Sequence, residues 1–117
     1  MNIHIRQSGQ VTIVTLAGEI DSRTAVQVEE QLLPLATPGC KILLEMSQVA
    51  YLSSAGLRIL LLLYRRIASQ NGQVVLSGLQ EMLRDTMAIT GFLDFFEDYS
   101  TVDTALTALN HNNSETS

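Results

Sequence analysis

The chain has 117 residues, of which 46% are hydrophobic and 16% are charged, with no tryptophan and one cysteine. This length and composition predict a single compact domain whose core needs no disulfide or metal, and they exclude disorder over most of the chain. Seven basic and twelve acidic residues give a formal charge of -5, which is the wrong sign for binding a phosphate backbone. We therefore expect no nucleic-acid partner.

The sequence shows neither a secretion signal nor a membrane segment. Cys40 has no second cysteine with which to form a disulfide within the chain, and the N-terminus lacks the charged and apolar regions of a signal peptide. The longest apolar run, at 59–64, is far shorter than the roughly 20 residues that cross a bilayer. We expect a cytoplasmic protein with no membrane partner.

The N-terminal part of the chain begins with two strand signals. Two β-branched runs, at 3–7 and 11–16, flank a turn that contains Gly9, and this pattern predicts an antiparallel hairpin. Further along, Asp21 or Ser22 is placed to cap a helix with an apolar stripe between residues 25 and 35.

The rest of the chain alternates between strand and helix signals. In chain order, these are a strand at 41–46, a helix from about 54 to 69, a strand at 73–77, a helix at about 79–87 ended by Gly91, an edge strand at 95–99 and a helix capped by Thr101. The order predicts a single-domain α/β fold: a mostly parallel mixed sheet with an N-terminal antiparallel hairpin strand and about four helices. We expect the domain to span 1–109 and the polar tail at 110–117 to be disordered.

Two predicted loops follow parallel strands, at 18–22 and at 51–56. Because such loops collect at the carboxyl edge of an open sheet, where ligand sites are found, Asp21 and Ser54 are expected to be neighbours.

The chemistry of an enzyme is mostly missing from this edge. No glycine motif for nucleotide phosphates occurs, and the segment around Ser54 lacks the first glycine of a nucleophile elbow. Neither His4 nor His111 is convincingly placed as a base, so a small serine hydrolase is only a remote alternative. Cysteine and histidine match no zinc spacing, and Glu19 with Asp21 would hold at most a transient Mg²⁺. We expect a protein that is not an enzyme and has no cofactor or metal.

Ser54 has two interpretations from the residues alone. A serine at a helix start usually caps it by accepting hydrogen bonds from free backbone N–H groups. The same N–H groups and their partial positive charge would also stabilise a phosphate on the serine, by about 0.3–1 kcal/mol. From the residues alone, Ser54 can be a cap, a phosphate acceptor or both.

Two separated segments, Gly18-Glu19-Ile20-Asp21 and Tyr51-Leu52-Ser53-Ser54-Ala55-Gly56-Leu57, resemble motifs of the STAS domain of bacterial anti-sigma factor antagonists. They occur in the right order, and the similarity covers roughly residues 1–109. The resemblance implies a partner-switching protein whose unphosphorylated form binds an anti-sigma factor that is also a serine kinase. Phosphorylation by that kinase would release the complex, and a serine phosphatase would restore it.

The resemblance also implies site residues. The acceptor maps to Ser54, and the preceding position, commonly aspartate in the family, is here Ser53, which is a second-choice acceptor. The expected partner-binding residues are Asp21, Ser53, Ser54, Gly56, Leu57 and Arg58. We expect Gly56 to let a partner's backbone approach. Leu57 can be a core residue or a contact, and we expect core because it continues the buried stripe. Glu45 takes a strand position where the family often has aspartate or asparagine.

The sequence leaves one alternative function open within the same fold. We expect the free protein to be a monomer or weak dimer. The alternative is a STAS scaffold, or a subunit of a signalling or transport complex, whose serine is not phosphorylated.

Overall fold

The computed structural model describes residues 1–116, with the side chains of residues 1–110. The strands are β1 (Asn2–Ser8), β2 (Val11–Ile20), β3 (Lys41–Leu52), β4 (Gln73–Ser77) and β5 (Glu97–Tyr99). The helices are α1 (Ala25–Leu32), α2 (Ser54–Ser69), α3 (Glu81–Ile89) and α4 (Val102–Thr116). The strands form one sheet in the order β1-β2-β3-β4-β5, in which β1 is antiparallel to β2 and the other pairs are parallel. The predicted fold class is confirmed.

Helices cover both faces of the sheet. On one face, α1, α2 and α3 form the larger core, in which Leu60 of α2 and Leu44 of β3 are fully buried. On the other face, Leu109 of α4 belongs to a smaller core with Leu43 of β3. Successive residues of a strand point to opposite faces of the sheet. Since Leu43 and Leu44 are both buried, β3 has no exposed face here.

Two central strands extend beyond their predicted ends. β2 was expected to end at 16 and β3 at 46, but their parallel pairing continues to Ile20 opposite Leu52. The register shifts between Thr15 and Ala17, opposite a segment of β3 with the exposed residues Ser47 and Gln48. These polar residues interrupt the apolar run, so the strand signal stops while the backbone pairing continues. The predicted loop at 51–56 is thereby reduced to Ser53.

Smaller differences concern the starts of three elements. Helix α1 begins at Ala25, after a turn at 22–24, so its N-cap position is Thr24 and not the predicted Asp21 or Ser22. Helix α3 begins at Glu81 instead of 79. Strand β5 is limited to 97–99 because a 3₁₀ helix, Phe92–Phe95, follows Gly91, which has a left-handed φ of 82°.

The C-terminal helix passes the predicted domain end. Helix α4 is capped as expected, since the backbone N–H of Thr104 donates to the hydroxyl of Thr101 at 3.1 Å. Ser117 and the side chains after Asn110 lie outside the described residues, and the disordered tail at 110–117 stays a prediction. Within residues 1–116, no helix combines the length and apolar character needed to cross a membrane.

Candidate functional site

The ends of β2 and β3 meet the start of α2 at one corner of the sheet. Ile20 is paired with Leu52, and the backbone N–H of Ser53 donates to the Ile20 carbonyl at 2.9 Å. Asp21 follows Ile20 directly, so the register places the turn after β2 beside the start of α2. We call the surface formed by residues 21–24 and 53–58 the serine edge.

The two serines of this edge have different environments. Ser53 is the N-cap of α2, with extended backbone angles, and its half-buried hydroxyl accepts from the Gly56 N–H at 3.2 Å. Ser54 is the first residue of α2 and is exposed, and its hydroxyl makes no hydrogen bond with the described residues. The cap is therefore Ser53, and the interpretation of Ser54 as the cap is wrong. With Ser53 as the cap, the helix begins at Ser54, one residue earlier than that interpretation assumed.

Gly56 is needed for packing within the chain. It is buried, and a Cβ atom at this position would lie 2.6 Å from the Ile20 carbonyl oxygen and 2.9 Å from the Ile20 Cγ2 atom. Only a residue without a side chain allows α2 to start this close to β2. The structure thus shows that Gly56 is required for packing within the chain, and its expected role in the approach of a partner's backbone stays a prediction.

The next two residues of α2 face opposite environments. Leu57 is only 6% exposed and belongs to the larger core, as expected. Arg58 is exposed. The exposed part of α2 at this edge is therefore formed by Ser54 and Arg58.

Asp21 organises the turn between β2 and α1. Its Oδ1 atom accepts from the backbone N–H groups of Arg23 and Thr24 at 2.9 and 3.2 Å, and its Oδ2 atom accepts from the Arg23 guanidinium at 3.0 Å. The hydrogen bond from the Arg23 side chain, followed by those from the two N–H groups, lowers the pKa of Asp21 from 3.8 to about 2. Asp21 is thus ionised at neutral pH, and its charge is already paired.

A groove of about 360 Å³ lies beside Ser54, between α2 and the segment that follows α3. Its lining residues are Ser54, Leu57, Arg58, Leu61, Thr90 and Phe92. The apolar members can hold an apolar side chain, while the hydroxyl of Ser54 and the guanidinium of Arg58 supply polar contacts. Sequence reasoning missed this groove because Thr90 and Phe92 come from a distant part of the chain.

Glu45 has a structural role. Its Oε2 atom accepts from the hydroxyl of Ser77 at 2.6 Å, and its Oε1 atom accepts from the backbone N–H of Ser47 at 2.8 Å. Glu45 belongs to β3 and the fully buried Ser77 belongs to β4, so this hydrogen bond joins the two strands through their side chains.

No histidine or cysteine whose side chain is described belongs to the serine edge. His4 is an exposed residue of β1, and the side chain of His111 lies outside the described residues. No group of three or more histidine, cysteine or carboxylate side chains within residues 1–110 is arranged to hold a metal ion.

Comparisons with known proteins concern the family and the fold of the chain. The family model of the STAS domain matches residues 2–105. The anti-sigma-B factor antagonist of Bacillus subtilis (strain 168) is 31% identical over 97 residues, which are 83% of this chain and 89% of that protein.

Solved structures show the same fold. An anti-sigma factor antagonist from Mycobacterium paratuberculosis has a TM-score of 0.82 and 28% identity, and the match covers 93% of each chain. The Bacillus cell fate determinant SpoIIAA in its phosphorylated form has a TM-score of 0.70 over 92% of this chain and 98% of that chain, and at 16% identity it shows the fold alone. The family match, the relatives and the fold together show that this chain belongs to the STAS domain family, which includes bacterial anti-sigma factor antagonists.

Proposed function

We propose that this protein is an anti-sigma factor antagonist that acts by partner switching. Its unphosphorylated form binds an anti-sigma factor that is also a serine kinase, phosphorylation of Ser54 releases that partner, and a serine phosphatase reverses the modification. The relatives named as anti-sigma factor antagonists support the class of partner. The observation that carries the choice of serine is that the hydroxyl of Ser53 is engaged in capping while that of Ser54 is exposed.

The start of α2 suits a phosphate acceptor. The kinase transfers the γ-phosphoryl group of ATP to the Ser54 Oγ atom: the bond from phosphorus to the ADP oxygen breaks, the Oγ–P bond forms, and the hydroxyl proton passes to a base on the kinase. A phosphate on the first residue of a helix meets the positive end of the helix dipole, so it leaves the fold intact. The switch therefore acts on the surface and not on the core.

The partner contact that we propose is the serine edge together with the groove beside it. Its residues are Asp21, Ser53, Ser54, Gly56, Leu57 and Arg58. Of the α2 residues, Ser54 and Arg58 contact the partner directly, while Gly56 and Leu57 hold the surface in shape from beneath. A phosphate adds between about 1.5 and 2 negative charges at the groove, and binding would then require desolvating or repelling them.

The acceptor is tested by incubating the protein with ATP and an anti-sigma factor kinase from the same genome, and then measuring the intact mass. We expect a gain of one phosphate in the parent protein and in Ser53→Ala, and no gain in Ser54→Ala. Each variant controls for the other, because the two substitutions remove the same hydroxyl group from neighbouring positions that the kinase would have to reach in the same way.

The other outcomes separate the alternatives. A phosphate that persists in Ser54→Ala and disappears in Ser53→Ala would make the capping serine the acceptor. No mass gain in any variant would favour the scaffold or transport-complex alternative. Ester hydrolysis that is lost in Ser54→Ala would overturn both in favour of a serine hydrolase.

A further inference from the structure

Arg58 lies one helical turn after Ser54 on the same face of α2. Both residues are exposed, and both line the groove between α2 and the segment after α3. Side chains four residues apart on a helix are neighbours, with about 5–6 Å between their Cβ atoms. A guanidinium at this position is thus within reach of any group attached to the Ser54 Oγ atom.

Arg58 has no counter-ion in the described part of the chain. The ion pairs found there join Arg23 to Asp21 and Arg84 to Asp98. Across the groove, Thr90 and Phe92 carry no charge. The guanidinium of Arg58 therefore faces the groove without a carboxylate to hold it.

We propose that Arg58 is the counter-ion of phosphorylated Ser54, an inference that rests on the proposed modification of this serine. The planar guanidinium donates parallel hydrogen bonds to two phosphate oxygens, an arrangement that a phosphate accepts well. The order along the helix is the favourable one, since an anion that precedes a cation by four residues also complements the helix dipole. Phosphorylation thus creates an ion pair within α2.

This pair changes what a partner encounters. In the unmodified protein, the guanidinium of Arg58 is free to contact a partner's carboxylate at the groove. In the phosphorylated protein, the same guanidinium is held by the phosphate, so one modification both adds negative charge and removes an available cation. The partner loses a favourable contact at the position where it meets a new repulsion.

The test measures the phosphate itself and needs no kinase. Phosphoserine is incorporated at position 54 of the full chain during translation, and the second pKa of the phosphate is followed by ³¹P NMR at low salt. An ion pair at this spacing stabilises the dianion enough that Arg58→Gln should raise this pKa by about 0.3 pH units. Arg65→Gln is the matched control, because it removes the same charge from the same helix about 10 Å further along the axis.

The result that would overturn the inference is a phosphate that titrates identically in the parent and in Arg58→Gln. An equal rise in Arg65→Gln or in Arg23→Gln would also overturn it, since the effect would then be the general field of the protein. Arg58→Lys should retain part of the shift, and unchanged circular dichroism would show that each variant is folded.

The inference and the proposed function fail in different ways. If the kinase phosphorylates Ser54 but Arg58→Gln leaves the phosphate pKa unchanged, the proposed function is retained and Arg58 is not the counter-ion. If the pKa shift is present but no kinase modifies Ser54, the ion pair is a property of the surface and the proposed function is wrong.

Discussion

Replacing Ser53 by alanine removes the hydroxyl that accepts the Gly56 N–H at 3.2 Å. Loss of an N-cap of this type costs about 1 kcal/mol of the free energy of unfolding. For 117 residues, an unfolding entropy of about 2.1 cal/mol/K per residue amounts to about 0.25 kcal/mol/K, so the Tm should fall by about 4 °C. Ser54→Ala removes an exposed hydroxyl without a hydrogen bond in the described structure, and its Tm should change by less than about 2 °C.

The assay is differential scanning calorimetry of both alanine variants, with Ser53→Asp as the rescue. Aspartate is as good an N-cap as serine, so this third variant should melt within about 2 °C of the parent. Equal melting temperatures for the two alanine variants, or a larger loss in Ser54→Ala, would refute the assignment of the cap to Ser53. Ser54 would then no longer be distinguished from Ser53 as the serine with a free hydroxyl.

Three further changes test packing and charge at the serine edge and within the sheet. Gly56→Ala places a Cβ atom 2.6 Å from a backbone oxygen of β2. The overpacking costs about 1–3 kcal/mol, which exceeds the gain of about 1 kcal/mol in helix propensity. The urea midpoint should therefore fall, and a higher midpoint would contradict this. For Asp21, whose pKa is lowered to about 2 in the folded protein, the stabilising contribution is present above its ordinary pKa of 3.8 and is lost as the pH falls through about 2. The Tm of Asp21→Asn should therefore lie below that of the parent by a constant amount at neutral pH, and this difference should shrink between pH 4 and pH 2. A difference that grows in acid would contradict the lowered pKa of Asp21. Ser77→Ala leaves a carboxylate oxygen of Glu45 without its buried donor and should lower the free energy of unfolding by about 1–3 kcal/mol, which an unchanged urea midpoint would disprove.

The elements that the sequence predicted best are those with local signals. Strand β4 occupies the predicted residues 73–77, because a turn with Asn71 in a left-handed conformation precedes a short, buried run. The ends of β2 and β3 were placed too early because their final pairs depend on contact between distant segments. Polar residues such as Gln48 can continue a strand when a neighbouring backbone supplies the hydrogen bonds, and no local pattern reveals that.

The serine edge was predicted as a segment but not in its geometry. Whether Ser53 or Ser54 caps α2 depends on the backbone conformation of one residue, and Ser53 has an extended ψ of 175°. The requirement for Gly56 depends on its distance from Ile20, which lies far away in the chain. The groove depends on Phe92, which is brought to α2 only by the tertiary fold.

The most direct test of the proposed switch compares two forms of one protein. The full chain is prepared unmodified and with phosphoserine at position 54. The Kd of each form for an anti-sigma factor kinase from the same genome is measured by calorimetry. A desolvated or repelled phosphate at an interface costs several kcal/mol, so we expect the phosphorylated form to bind at least about 100-fold more weakly. Equal Kd values for the two forms would contradict the central claim that phosphorylation of Ser54 releases the partner.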